Sequence, residues 1–121
     1  MELTRRTFVL SSAAGIAALS ARQARADANG TIVLALMGAN NRGSQLATGF
    51  AKLKGVEFAY VCDPDERAIA KGIAAATSGG GRKPQGAKDF RKALDDPAVD
   101  ALVCAAPNHW HAAAMILAML R

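Results

Sequence analysis

Apolar positions along this chain come as a run, then at helical spacing, then as a run again. The stretch Thr31-Ile32-Val33-Leu34-Ala35-Leu36-Met37 is nearly all apolar. It predicts a strand covered on both faces, as a parallel strand between helices has no wet side to alternate with. From Arg42 to Lys54, Leu46, Phe50 and Leu53 recur at helical intervals, and Gly55 supplies a stop. Val56 to Cys62 predicts a second strand. Asp63-Pro64 then opens a second helix, with Pro64 suited to its first turn and Ala68, Ile69, Ile73 and Ala76 along one side. The glycine-rich stretch Gly79 to Gly86 lacks Gly-Lys-Ser/Thr and a preceding strand, so it predicts a plain surface loop rather than a phosphate loop. A very short edge strand is expected at Gly86 to Lys88, a short helix at Lys88 to Leu94, a further strand at Asp100 to Ala105 and a last helix from Ala112 to Leu120. Strands alternating with helices imply an α/β fold with right-handed crossovers. We expect a Rossmann-like parallel sheet, order 3-2-1-4, that stops after the helix following strand 4.

Composition limits this to one domain: 121 residues, 51% hydrophobic. The net charge of +5 suggests nucleic acid until it is located. Arg5, Arg6, Arg22 and Arg25 against Glu2 put +3 of it in residues 1–26. No basic stripe interleaved with aromatics remains, so no nucleic-acid partner is expected. Within those 26 residues a basic start leads to the apolar stretch Phe8 to Leu19 and then Ala24-Arg25-Ala26. The stretch is shorter than the roughly 20 residues a membrane span needs. Charged start, short apolar middle and small-residue exit describe a signal peptide. Residues 27–30 form a lead-in, and cleavage is expected after Ala26. Thr4-Arg5-Arg6-Thr7-Phe8-Val9-Leu10 resembles the twin-arginine export signal, without the frequent later Lys; an ordinary secretory signal or an uncleaved anchor are the alternatives. The resemblance implies a periplasmic or otherwise exported protein that meets the membrane only during export. Substrates of that route cross folded, so a cofactor would be loaded before export.

The join between the first two strands carries candidate chemistry. Gly38-Ala39-Asn40-Asn41-Arg42-Gly43 follows the first strand, and Asp63 ends the second, 20 residues after Gly43. A dinucleotide fingerprint needs one glycine for the tight turn, one for approach to the pyrophosphate and one for helix packing, with an acid about 20 residues on. Gly38 and Gly43 fill the outer places. Asn40 stands in the middle one, where its tolerance of left-handed backbone keeps the turn feasible. Free amides opening the next helix supply an anion site. Asp63 can accept from the ribose hydroxyls, which leans towards NAD over NADP. Arg67, one helical turn on, either offsets that preference or is a solvated surface arginine. If the strands lie 3-2-1-4, Cys62 and Cys104 stand two strands apart, roughly 9.6 Å at ~4.8 Å per strand. That exceeds the ~7 Å a disulfide tolerates, so two buried free thiols are expected.

Pro107-Asn108-His109-Trp110-His111 is the most specific stretch. It resembles the Thr/Ala-Pro-x-His-Trp-His-Ala segment of the glucose–fructose oxidoreductase, inositol dehydrogenase and rhizopine-catabolism (Gfo/Idh/MocA) family, and the resemblance runs from Thr31 to Arg121. It implies an N-terminal Rossmann domain for NAD or NADP, a second α/β domain, and a sugar or cyclitol substrate. It also implies that Ala106, Pro107, Asn108 and His111 lie beside the nicotinamide-ribose half of the cofactor. For His111, capping of the last helix is the competing role; for Trp110 it is packing. His109 and His111 lack a third ligand, so no metal site is expected. The family's acid–base lysine sits in a Glu-Lys-Pro motif that this chain does not reach, so no catalytic residue is assigned. The chain then reads as an inactive fragment or truncated product, with a homo-oligomer expected only with the second domain. Met115, Ile116, Leu117, Met119 and Leu120 should be exposed and sticky. A non-catalytic nucleotide- or sugar-sensing module is the rival; an epimerase-like protein is weaker, since its three glycines and Tyr-x-x-x-Lys are absent.

Overall fold

The computed structural model describes residues 30–121. The export leader read at residues 1–26 lies outside them, as does most of the lead-in. The elements follow in the order β1 (Ile32–Met37), α1 (Asn41–Ala51), β2 (Val56–Cys62), α2 (Glu66–Ala76), β3 (Gln85–Ala87), α3 (Arg91–Leu94), β4 (Ala101–Cys104), a 3-10 turn (Asn108–Trp110) and α4 (His111–Met119). All strand pairs are parallel, in the order β3-β2-β1-β4. This is the expected Rossmann-like sheet, ending after a helix.

The central strand β1 serves two cores because successive side chains leave a strand on opposite faces. Leu34 and Leu36 pack with Phe58, Val61, Ala47 on α1, and Ala68 and Ala76 on α2. Ala35 and Met37 pack with Cys62, Ala87, Phe90, Ala93 on α3 and Ala114 on α4. Helices therefore cover both faces. Leu36 and Phe58 are almost wholly enclosed, and each contributes roughly 1.5–3 kcal/mol of transfer free energy.

One irregularity decides which way the end of β2 faces. Leu34 pairs with Phe58, but Ala35 pairs with Tyr60, leaving Ala59 as an extra residue. Such a bulge inverts the facing of everything after it. Phe58 thus packs on the α1/α2 face, while Tyr60 packs on the other. There the Tyr60 hydroxyl donates to Asp96 Oδ2 at 3.0 Å, a bond to a carboxylate that raises the Tyr60 pKa above its ordinary value.

Several boundaries differ from the sequence expectation. Helix α1 starts at Asn41 and ends at Ala51, and Lys52 to Gly55 form turns that close on Gly55 at φ +76°. Leu53 consequently falls off the helical face and is 54% exposed. Pro64 lies outside α2: Asp65 is the N-cap, accepting from the Arg67 amide. Because the Asp65 carboxylate caps the first turn, the helix begins at Glu66 and Pro64 precedes the cap. The edge strand sits one residue early, at Gln85–Ala87, and α3 is cut to Arg91–Leu94 because Asp89 Oδ1 accepts from the Arg91 amide at 3.0 Å. Ile32 is 52% exposed, so β1 is covered on both faces only from Leu34 onward. Asp100 falls outside β4, yet its Oδ2 accepts from the Val33 amide at 2.8 Å and its own amide donates to the Val33 carbonyl.

Candidate functional site

The turn after β1 is built on two glycines that have no room for a side chain. Gly38 adopts φ +84°, and a Cβ there would lie 2.7 Å from the Ala106 nitrogen and 2.8 Å from the Ala105 carbonyl carbon. A Cβ on Gly43 would overlap the Gly38 carbonyl oxygen. The first glycine therefore lets the turn touch the chain leaving β4, and the last lets α1 close on the turn. The Gly38 amide donates to the Cys62 carbonyl at 2.9 Å, and Ser44 Oγ donates to the Ala39 carbonyl at 2.6 Å. Asn40 corrects the expectation of left-handed geometry: it is extended, at φ −77° and ψ −162°. Any residue adopts that conformation, so asparagine in the middle place costs the turn nothing in backbone strain.

Asp63 faces this turn. Its Oδ2 accepts from the Ala39 amide and its Oδ1 from the Asp65 amide, both at 2.9 Å. A carboxylate offers about four acceptor positions, so positions remain for hydroxyl donors. Arg67 stands apart from it. The guanidinium bonds Asp65 through Nε and Nη2, both at 3.3 Å, and its side chain is 93% exposed. That hydrogen bond holds the Asp65 carboxyl below its usual range and raises Arg67. Lys88 similarly bonds Glu66 at 2.8 Å, lowering the Glu66 pKa.

The loop after β4 meets the turn from the other side. The Ala105 amide donates to the Met37 carbonyl at 2.7 Å, which continues the ladder one residue beyond the strand. His111, the first residue of α4, holds the loop: its Nε2 lies 2.8 Å from the Ala106 carbonyl. A carbonyl only accepts, so Nε2 carries the proton. Pro107, Asn108 and Arg42 are exposed. The Trp110 ring meets Phe90 edge-on at 6.4 Å between centroids and is still 40% exposed, half packing residue and half surface. Gly38, Ala105 and Ala106 are thus in contact, across the β1/β4 boundary where the chain changes direction through the sheet. Open α/β sheets bind ligands at that reversal.

The last helix is partly as anticipated. Met115, Ile116, Met119 and Leu120 are exposed, but Leu117 packs into the Ala35/Met37 core. Of the two free thiols, Cys62 is buried and Cys104 only half-buried. Met37 lies between them in register, and β4, unlike β2, is at an edge of the sheet among the described residues. Burial pushes the Cys62 thiol up to about 12, with Asp89 adding and Lys92 opposing.

Sequence reasoning missed Lys71. It lies on α2, yet its Nζ reaches Asn40 Oδ1 at 3.4 Å and Asn41 Oδ1 at 3.3 Å. The adjacent Gly72 permits this: a Cβ there would lie 2.7 Å from Ala39 Cβ and from Val61 Cγ1. Only a glycine lets α2 approach the turn so closely. Lys71, Asn41, Ser44, Gln45 and Thr48 line an open groove of about 420 Å³.

No protein-family model matches the chain. It is similar to a glycosyl hydrolase family 109 protein of Saccharopolyspora erythraea, with 30% identity over 97 residues. The match takes in 77% of this chain but spans only about a fifth, 21%, of that protein's length.

Proposed function

We propose that residues 31–121 are the dinucleotide-binding part of an NAD(P)-dependent oxidoreductase of the Gfo/Idh/MocA kind. The observation that carries this reading is the bond from the Ala39 amide to Asp63 Oδ2 at 2.9 Å. It ties the acid at the end of β2 to a glycine turn that lies against the loop after β4. A pyrophosphate fits where two glycines leave no Cβ and where the opening amides of α1 receive no side-chain cap. The free acceptor positions of Asp63 would take the adenosine ribose hydroxyls, which favours NAD. Arg67, bound to Asp65, belongs to the rim of this site. Ala106, Pro107, Asn108 and His111 border the nicotinamide-ribose half, with His111 fixing the loop by its bond to Ala106.

Nicotinamide, when bound, takes or returns a hydride at a sugar or cyclitol carbinol carbon. This chain's residues bind and orient the cofactor; the acid–base lysine would stand at the end of the next strand of the same sheet, and most substrate contacts would come from a second domain, which would also build the oligomer. Some glycosidases depend on NAD, so the relative's hydrolase name and a dinucleotide site are compatible, and that name supports a sugar as substrate. The leader at residues 1–26 would deliver the protein, cofactor loaded, to the periplasm by the twin-arginine route. Calorimetry with NAD and NADP tests the reading. NAD should bind, and Asp63→Ala should weaken it by at least ~10-fold, about 1.4 kcal/mol; no heat from either nucleotide with folded wild-type chain would overturn it.

A further inference from the structure

Asparagine is among the best N-cap residues, because its side-chain oxygen accepts from the amides of the first helical turn. Asn40 is the N-cap of α1 and has the right extended backbone, but it makes no capping bond. Its Oδ1 faces Lys71 instead, 3.4 Å from Nζ, and Asn41 Oδ1 faces the same ammonium at 3.3 Å. An ammonium has only donors, so it fixes oxygen, not nitrogen, as the atom each asparagine turns towards α2. The first turn of α1 also contains no acid that could take over the capping.

We propose that Lys71 is a positioning residue: it draws the Asn40 side chain away from the opening amides of α1 and so keeps them open to an anion. The anion is the diphosphate of a dinucleotide, and in that respect the inference rests on the proposed function; the arrangement of Lys71, Asn40 and the amides does not. Gly72 is the structural condition for it, since a side chain there would push α2 off the turn and carry Lys71 out of reach. Without the lysine, Asn40 has nothing to hold it and turns inward to cap. The helix gains a bond and the anion loses its donors.

The variant Lys71→Met keeps the stem and removes the charge. In the ligand-free chain, Arg42 and Gly43 amide exchange should slow several-fold, and Tm should rise by about 2–4 °C as the cap forms. Affinity for NAD should fall about 5-fold. Asn40→Gly, which cannot cap through a side chain, should abolish all three effects when combined with Lys71→Met. A merely structural lysine would lower Tm on removal, and a direct phosphate contact would still lower affinity in the Asn40→Gly background; either result overturns the inference. So does unchanged exchange at Arg42 and Gly43. Should wild type bind no nucleotide while the exchange and Tm effects appear as stated, the nucleotide reading fails and the role of Lys71 in uncapping stands.

Discussion

The turn after β1 and the loop after β4 lie against each other, yet they are held in opposite ways. The turn is locked from every side: Gly38 against Ala105 and Ala106, Gly43 against Gly38, Ala39 tied by its amide to Asp63 and by its carbonyl to Ser44. The loop beyond Ala105 has fewer ties, His111 Nε2 to the Ala106 carbonyl, the Trp110 amide to the Pro107 carbonyl and the Trp110 ring against Phe90, with Pro107, Asn108 and His109 exposed. The cysteines that precede the two segments repeat the contrast: Cys62, beneath the turn, is 1% exposed, whereas Cys104 is half-buried. A rigid half suits a diphosphate, which is the same in every dinucleotide. An adaptable half suits the end of a cofactor where substrate must enter and leave.

Breaking the rigid half should have the largest effect. Gly43→Ala places a methyl on the Gly38 carbonyl, and no rotamer relieves a Cβ clash with backbone. Its cost should exceed about 3 kcal/mol, enough to abolish a cooperative urea transition. A near-wild-type transition would mean that the turn relaxes easily. Asp63→Ala comes next, leaving the Ala39 and Asp65 amides without their charged acceptor, a loss of about 1.5–3 kcal/mol. Asp63→Asn should recover part of this, because one amide oxygen can still accept from Ala39.

The buried thiol beneath the turn makes stability depend on pH. Burial raises Cys62 from 9.0 to about 12, so the folded state retains a proton that the unfolded state releases. The resulting stabilisation is complete below pH 9 and is lost as pH climbs through 12. At pH 10.5 it should have fallen by on the order of 1–2 kcal/mol, and urea denaturation of Cys62→Ala should lack that component. At pH 8, an alkylating reagent should modify Cys104 well before Cys62. Equal rates would show that the turn opens as readily as the loop. The smallest effect belongs to His111→Ala, which removes one exposed hydrogen bond worth about 0.5 kcal/mol. Its mark should be faster amide exchange from Ala106 to Asn108, with the turn unaffected.

Much of this was legible in the sequence, for identifiable reasons. Gly38 and Gly43 could be read because they bracket a change of period: an apolar run breaks at Gly38, and helical spacing takes over from Arg42. Asp63 was legible from its interval alone. What escaped depends on neighbours distant in the chain. The bulge at Ala59 leaves no mark, because Val56, Phe58, Tyr60 and Val61 are apolar enough for either facing; only pairing with Leu34 and Ala35 shows the phase change. Lys71 looked like any solvated helix lysine, since its partners lie 30 and 31 residues earlier. The one available hint was the glycine beside it, small in the middle of a helix. Leu53 was misread because a helical period was carried past a stop, and Leu117 because an exposed helix still presents one side to its sheet.

In the proposed reading, the turn after β1 and Asp63 together hold the diphosphate and ribose of a dinucleotide. Amide-resolved NMR titration of the chain with NAD tests it most directly. The largest shifts should fall at Gly38 to Gly43 and at Asp63, with smaller ones from Ala106 to His111. Saturable shifts elsewhere with these residues unmoved, or none anywhere on well-folded chain, would contradict it.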